Sequence, residues 1–400
     1  MSKQKMLFKW GALSCLLLPF SAEAQDYTQG FRYQDRLMIS PYVNLEAIFD
    51  SNIIYAHDAA GDWIYRLNPG ADFFFKGNEW GIVGNVWYAH SWHQKYDEKD
   101  EHRFGQRLSA FRESSKGWIV SVGQGYTESD QNDSRTLDGG DGIWRNRVYF
   151  DAFGTLSYAF NPKLSAGLTV SFADMWYANK GEKYQVLHGW KQWALGGEVS
   201  YALSTRSRFA VIGSYQEYYT GAKNMTFGNL SRNYSLQGGF MSGLTERIRY
   251  RALIGASLYD YGGEMSAAPS YTLDASWKIS SKLALTAAGA GYFQPSETSF
   301  YQKKTIYTLS GGVTYRPIKK VTLTGDAIYR GEDNQTVDKY SSSVADYSRN
   351  QYTLRARVSY SLHRYASIYT SAEYTYQDSN RLHEQQWDRY RMSVGLSLRY

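Results

Sequence analysis

Residues 351–362 read Gln-Tyr-Thr-Leu-Arg-Ala-Arg-Val-Ser-Tyr-Ser-Leu. Tyr352, Leu354, Ala356, Val358, Tyr360 and Leu362 take every second position, and Thr353, Arg355, Arg357, Ser359 and Ser361 fill the positions between. Only an extended chain puts alternate side chains on one face, so this stretch is a strand with one apolar and one polar face.

The same alternation recurs from about residue 40 to the last residue. Val43, Leu45, Ala47 and Phe49 share a face, as do Trp63, Tyr65, Leu67, Ala71, Phe73 and Phe75. Leu164, Ala166, Leu168, Val170 and Phe172 repeat the pattern, and so do Tyr271, Leu273, Ala275, Trp277 and Ile279. About 18 such strands are expected (a range of about 16–18), on the order of ten residues each. Short connectors fall near 76–79, 114–117, 161–163, 204–207, 245–247, 280–282, 317–320 and 363–365. Longer polar ones fall near 50–62, 94–102, 128–145, 178–190, 220–230, 261–268, 294–303, 331–349 and 377–387. Short turns alternating with long loops, on an even number of strands, predict an antiparallel up-and-down transmembrane β-barrel with periplasmic turns and extracellular loops.

Aromatic spacing supports the membrane reading. Trp118 and Tyr126, Trp193 and Tyr201, Tyr307 and Tyr315, and Tyr352 and Tyr360 lie eight positions apart on one face. Eight residues of tilted strand cover roughly 20 Å, close to the separation of two interfacial aromatic girdles. A soluble β-sandwich would hold Val, Ile and Phe inside and has no need of Tyr or Trp at both ends of each apolar stripe.

The chain start reads as a secretory signal. Lys3, Lys5 and Lys9 precede the apolar run Trp10 to Phe20, and Ala22-Glu23-Ala24 is a small-x-small cleavage site. Residues 1–24 are thus expected to be removed, 25–39 to form a periplasmic tail, and 40–400 to form the barrel. The one cysteine, Cys15, lies inside the signal, with Ala12 where a lipobox needs Leu. The mature chain therefore has no disulfide, thiolate ligand or thiol nucleophile. Its charge, +6 for the precursor and about +4 after the signal, is too mild to suggest nucleic acid. The last strand, Tyr390, Met392, Val394, Leu396, Leu398 and Tyr400, ends the chain on an aromatic residue. It resembles the terminal signal read by the barrel-assembly machinery of Gram-negative bacteria. Outer-membrane lipid and lipopolysaccharide are the other expected partners.

Two early segments carry a family resemblance. Pro41-Tyr42-Val43-Asn44-Leu45 runs into Phe49-Asp50-Ser51-Asn52-Ile53, and Leu67-Asn68-Pro69-Gly70-Ala71-Asp72 follows. This resembles the opening of the β-barrel porin type 2 family. The resemblance implies an outer-membrane barrel; some members belong to exopolysaccharide or capsule operons, which implies glycan export. It carries no catalytic residues. On the residues alone, Asp50-Ser51-Asn52 is a turn-forming triplet and Pro69-Gly70 a kink or bulge.

Function is expected on the inner face, where Ser, Gly, Thr and Ala dominate and suit an aqueous lumen. Charged residues with inward phase are Arg147, Asp151, Arg249, Arg251, Asp274, Lys278, Asp326, Arg330, Arg355, Arg357, Glu373, Arg391 and Arg399. Nine are cations and four anions, which favours an anionic solute or acidic glycan. Lipid-facing residues must meet lipid-facing residues, so a three-residue turn at 363–365 pairs Leu362 with Ala366 and sets Arg355 opposite Glu373. Inward Tyr149, Phe153, Tyr292 and Tyr369 are candidates for stacking on sugar faces, or for packing against an inserted loop.

Enzyme chemistry is not expected. His90 and His93 point to opposite faces of one strand and cannot share a metal. Asp130 to Ser134, with Asp138 and Asp141, starts like a calcium loop, but Arg135 stands where glycine is needed and no Glu closes it. No cofactor is expected. The resulting expectation is a porin-like channel passing an exopolysaccharide or small anionic solutes. The other readings are a structural or surface-binding barrel with a loop-closed lumen and, last, a barrel enzyme.

Overall fold

A computed structural model describes residues 31–33, 36–53, 60–115, 117–132, 144–177, 189–220, 229–242, 247–261, 264–294, 301–336, 346–380 and 386–400. The expected signal segment and the residues from Asp133 to Asp141 lie outside them.

The described chain is one closed antiparallel sheet. A three-residue strand β1 (Phe31–Tyr33) precedes eighteen barrel strands. These are β2 (Leu37–Asp50), β3 (Asp62–Lys76), β4 (Trp80–His93), β5 (Glu101–Glu113), β6 (Trp118–Asn132) and β7 (Trp144–Ala159). Then come β8 (Leu164–Tyr177), β9 (Trp190–Ala202), β10 (Ser207–Thr220), β11 (Asn229–Ser242), β12 (Ile248–Tyr261) and β13 (Glu264–Lys278). The last six are β14 (Leu283–Gln294), β15 (Tyr301–Tyr315), β16 (Val321–Thr336), β17 (Tyr347–His363), β18 (Ala366–Ser379) and β19 (Trp387–Arg399). Each pairs with its sequence neighbours, and β19 pairs with β2 from Arg399↔Tyr42 to Arg391↔Asp50, which closes the ring. Closure satisfies the backbone groups that a sheet edge would leave bare in lipid. No helix among the described residues is long and apolar enough to cross a membrane.

Alternation fixes the faces. Across β16–β19 and β2, the ladders join Asp326 to Arg355, Arg355 to Glu373, Glu373 to Arg391, and Arg391 to Asp50, so one parity is inward throughout. The opposite parity carries the exposed Tyr352, Leu354, Val358, Tyr360, Leu362, Met392 and Val394. This exposed apolar face, wrapped around a polar one, is the inverse of a soluble sandwich.

Outward aromatic rings form two belts. On the loop side, Phe49 meets Trp63 at 5.5 Å, Phe172 meets Trp193 at 4.6 Å, Tyr215 meets Tyr234 at 5.2 Å and Tyr329 meets Tyr352 at 5.2 Å. On the turn side, Phe75 meets Trp80 at 4.9 Å, Trp118 meets Tyr158 at 4.1 Å and Phe209 meets Phe240 at 5.6 Å. The strands run to 17 residues in β17, longer than the ten or so expected. They continue past the loop-side belt, so the barrel wall stands above the apolar band.

Four expectations are corrected. The connector placed at 261–268 is mostly strand: β12 runs to Tyr261 and β13 begins at Glu264, which pairs with it. The barrel begins at Leu37 rather than 40, and Phe31–Tyr33 of the expected tail pairs with Leu37–Ile39 of β2. Pro69-Gly70 makes no bulge. The β3–β4 register is the same on both sides, and only the pairs opposite Asn68 and Pro69 drop out, because proline has no N–H to donate. Finally, the 363–365 turn pairs His363 with Ala366 through an irregularity after Ser361, not Leu362 with Ala366.

Candidate functional site

The motif at the chain start proves to be the barrel seam. Asp50 ends β2 with no exposed surface. It accepts from Arg389 Nε on β19 at 2.8 and 3.0 Å, with a further contact from the same guanidinium, and Arg391 lies 3.4 Å away. Asn52 N–H donates to Asp50 at 3.1 Å, the local bond expected of a turn triplet. Asn52 Nδ2 also donates to the Asp388 carbonyl at 3.0 Å, and Ser51 Oγ accepts from Tyr390 N–H at 2.8 Å. The triplet thus ties the first barrel strand to the last. Tyr42 and Gly70, from the other motif halves, lie directly opposite each other on β2 and β3. A Cβ on Gly70 would fall on the Tyr42 ring, so glycine there is a steric requirement of the ring. At the turn end, Tyr400 N–H bonds the Pro41 carbonyl, and the Tyr400 ring packs between Phe31 at 4.5 Å and Tyr365 at 5.2 Å.

The seam opens onto a charged inner wall. Asp326, Arg355, Glu373, Arg391 and Asp50 occupy one register line across β16, β17, β18, β19 and β2, alternating in sign. Arg355 Nε donates to Glu373 at 2.7 Å, the juxtaposition the turn arithmetic predicts. Arg357 stacks over the Tyr369 ring at 3.9 Å, and Arg399 over Tyr42 at 5.1 Å while pairing with Asp72 at 3.0 Å. Next along the wall, Arg66 lies 3.7 Å from Glu46 and 3.6 Å from Glu101, with Arg103 2.9 Å from Glu101. Asp151 pairs with Arg107 at 3.2 Å.

The remaining predicted inward charges are more scattered. Arg251 bonds Asp274 through Nε at 2.8 Å. Arg249 faces Ser276, and Lys278 faces Ala284 at the turn end of the same wall. Arg147 faces Ser129 and Tyr177. Arg330 bonds Glu332 at 2.6 Å. All thirteen predicted positions therefore carry inward phase, but they form several groups and not one constriction. The sequence reading passed over Asp50, Arg66, Glu101, Arg107, Lys304, Glu332, Arg349 and Arg389. The same parity rule, applied to β2–β5 and to the loop-side ends of the strands, would have found them.

Inward aromatics divide into two kinds. Phe153 lies against Gly123 and Tyr369 against Gly395, and Trp87 against Gly105, each on the neighbouring strand. A ring over a glycine lies flat along the wall and keeps one face toward the lumen. Tyr149 instead meets Trp190 edge-on at 6.1 Å, and Trp190 meets Tyr218 at 6.5 Å, with Tyr218 and Tyr259 buried. Tyr292 is half-exposed on β14. Water reaches Arg355, with 49% of its side chain exposed, so this part of the inner wall is wet. His90 faces outward beside Trp92, and His93 faces inward. No group of three metal-ligating side chains occurs among the described residues.

No family model matches the sequence, and no curated protein matches it. Solved structures do. The FrpB iron transporter from Neisseria meningitidis (F3-3 variant) is 8% identical, with 94% of this chain and 83% of that one covered at a TM-score of 0.50. The siderophore receptor PirA from Pseudomonas aeruginosa is 10% identical, with 92% and 81% covered at 0.48. At 8% identity the likeness to FrpB is one of fold, that of an outer-membrane β-barrel.

Proposed function

We propose that this chain forms a polar conduit in the outer membrane of a Gram-negative bacterium and carries an acidic, hydroxylated solute, with an exported glycan as the leading candidate. The observation that carries this reading is the wall from β17 to β7. There, flat aromatic rings and guanidinium groups alternate along a water-exposed inner surface: Arg357 on Tyr369, Arg399 on Tyr42, then Trp87 and Phe153. Ring faces suit the apolar faces of sugars, and guanidinium groups suit carboxylates. The resemblance of the opening motif to the β-barrel porin type 2 family supports the same reading. So do the signal-like N-terminus and the C-terminal strand ending at Tyr400, which suit export and delivery to the barrel-assembly machinery.

The test is single-channel conductance of the refolded mature protein in a planar bilayer under a salt gradient. Steady conductance with anion preference, reduced in Arg357→Ala, is the expected result. A silent protein shown to be folded and inserted would instead support a barrel closed at rest. The rings of Tyr149, Trp190 and the buried Tyr218, on β7, β9 and β10, favour this second reading, because they pack in a row on the inner wall of the loop half.

A further inference from the structure

We infer that the outer face of β12–β17 holds one anionic phospholipid of the turn-side leaflet, with an acyl chain in a groove of the wall and the headgroup on basic turns. Tyr250, Ala275, Ala287, Gly311, Ala327 and Leu354 form one register line across these six strands. All have outward phase. The four central positions are alanine or glycine, so the floor sits a side chain lower than its surroundings. On the far side of the barrel, the line Val120, Leu156 and Leu168 has no such step. Leu273, Leu309 and Tyr329, one line toward the loops, wall the groove on that side. The depression encloses about 540 Å³ and its lining is almost wholly apolar. That volume is within the range of small-molecule sites, about 300–1,000 Å³.

The groove is open toward the turns at one place. In the next line Trp277, Leu285 and Val313 are bulky, but Gly325 and Ala356 are small. A chain can therefore leave the floor over β16 and β17. The connector below β16 is residues 316–320, Arg-Pro-Ile-Lys-Lys, and Arg316, Lys319 and Lys320 are exposed. Arg316 N–H donates to the carbonyl of Lys282, which brings the exposed Lys282 of the 279–282 connector alongside. Neither connector holds an acidic residue. The β3–β4 turn differs, because it holds both Lys76 and Glu79, and Glu79 pairs with Arg112 at 3.6 Å.

These observations choose the occupant. A groove in the apolar band meets only acyl chains or another protein face. From Tyr250 to Leu354 there are five inter-strand spacings, roughly 24 Å, enough for a chain that fills one half, about 15 Å, of the hydrocarbon core. Basic side chains at the membrane surface attract anionic headgroups. A second copy of this chain would fit poorly, because a two-fold contact through this face would bring both sets of turn cations together. The inference rests on the barrel reading, with the short turns in the periplasm, and not on conduction.

Native mass spectrometry of the refolded barrel tests it, with dioleoyl phosphatidylglycerol, dioleoyl phosphatidylethanolamine and lipopolysaccharide offered in equal amounts. Retention of one phosphatidylglycerol on a monomer, at least tenfold above phosphatidylethanolamine, is expected. The double variant Lys319→Gln, Lys320→Gln should lose that preference. Gly311→Leu should lose the lipid while the gel shift of the folded barrel is kept, and Ala327→Leu is the second floor variant. Equal retention of both phospholipids, preference for lipopolysaccharide, a lipid-free dimer, or wild-type retention in the floor variants overturns the site. Bilayer conductance of the same preparation separates the two proposals. A silent barrel that retains the lipid keeps the groove and removes the conduit; a conducting barrel that retains none does the reverse.

Discussion

Asp50 and Arg389 lie 339 positions apart in sequence, yet they form the buried ion pair that joins the first barrel strand to the last. Asp50 is fully buried and Arg389 nearly so, and both Asp50 oxygens accept from the same guanidinium. The seam ladder is one of the shorter ones in the ring, from Tyr42 to Asp50, so this pair bears on closure directly.

Removing one partner strands a buried charge. Asp50→Ala is expected to lower the stability of the closed barrel by about 3–5 kcal/mol. The urea midpoint of the refolded protein, followed by the gel shift between folded and unfolded forms, measures it. The double variant Asp50→Leu, Arg389→Met should recover much of the loss, because the desolvation cost disappears with both charges. A double variant as weak as the single one would show that the pair's geometry, and not its charge balance, holds the seam.

Arg355 should affect selectivity and hardly touch stability. Its pair with Glu373 is half-exposed, so its contribution to folding is within about 1 kcal/mol. Arg355→Ala leaves Glu373 and Asp326 on the wall with one cation fewer between them, and the reversal potential under a salt gradient should move toward cations. An unchanged reversal potential in a conducting variant would mean that ions do not pass this wall.

Gly395 tests the flat-ring wall. A Cβ at this position would overlap the Tyr369 ring that carries Arg357. Gly395→Val is expected to cost about 1–3 kcal/mol by overpacking and to displace the ring. Tyr369→Ala in the same chain should restore the unfolding midpoint, since the clash leaves with the ring. If it does not, the cost at 395 is one of strand backbone and not of ring contact.

Alternation alone set much of this fold. Period-2 patterning, together with the rule that a closed sheet keeps one parity inward, placed Arg147 and Arg391 on the inner face without any coordinates, because a side chain on a strand has only two directions. Turn arithmetic also set Arg355 against Glu373, and that pair forms although the turn closes on His363 and Ala366, because the irregularity after Ser361 restores the register. The Tyr261–Glu264 hairpin escaped because Ser266, Ala267, Ala268 and Pro269 carry no apolar alternation, and small residues read as loop. The tertiary structure alone decided what no local rule reaches. Asp50 meets Arg389 only because eighteen strands close with a particular stagger, and that stagger is a property of the whole ring. Lys304 and Arg349 reach Glu332 from the two strands flanking β16, so the three meet only when both ladders are in place. Sequence fixes which face a residue takes; closure fixes which charges share it.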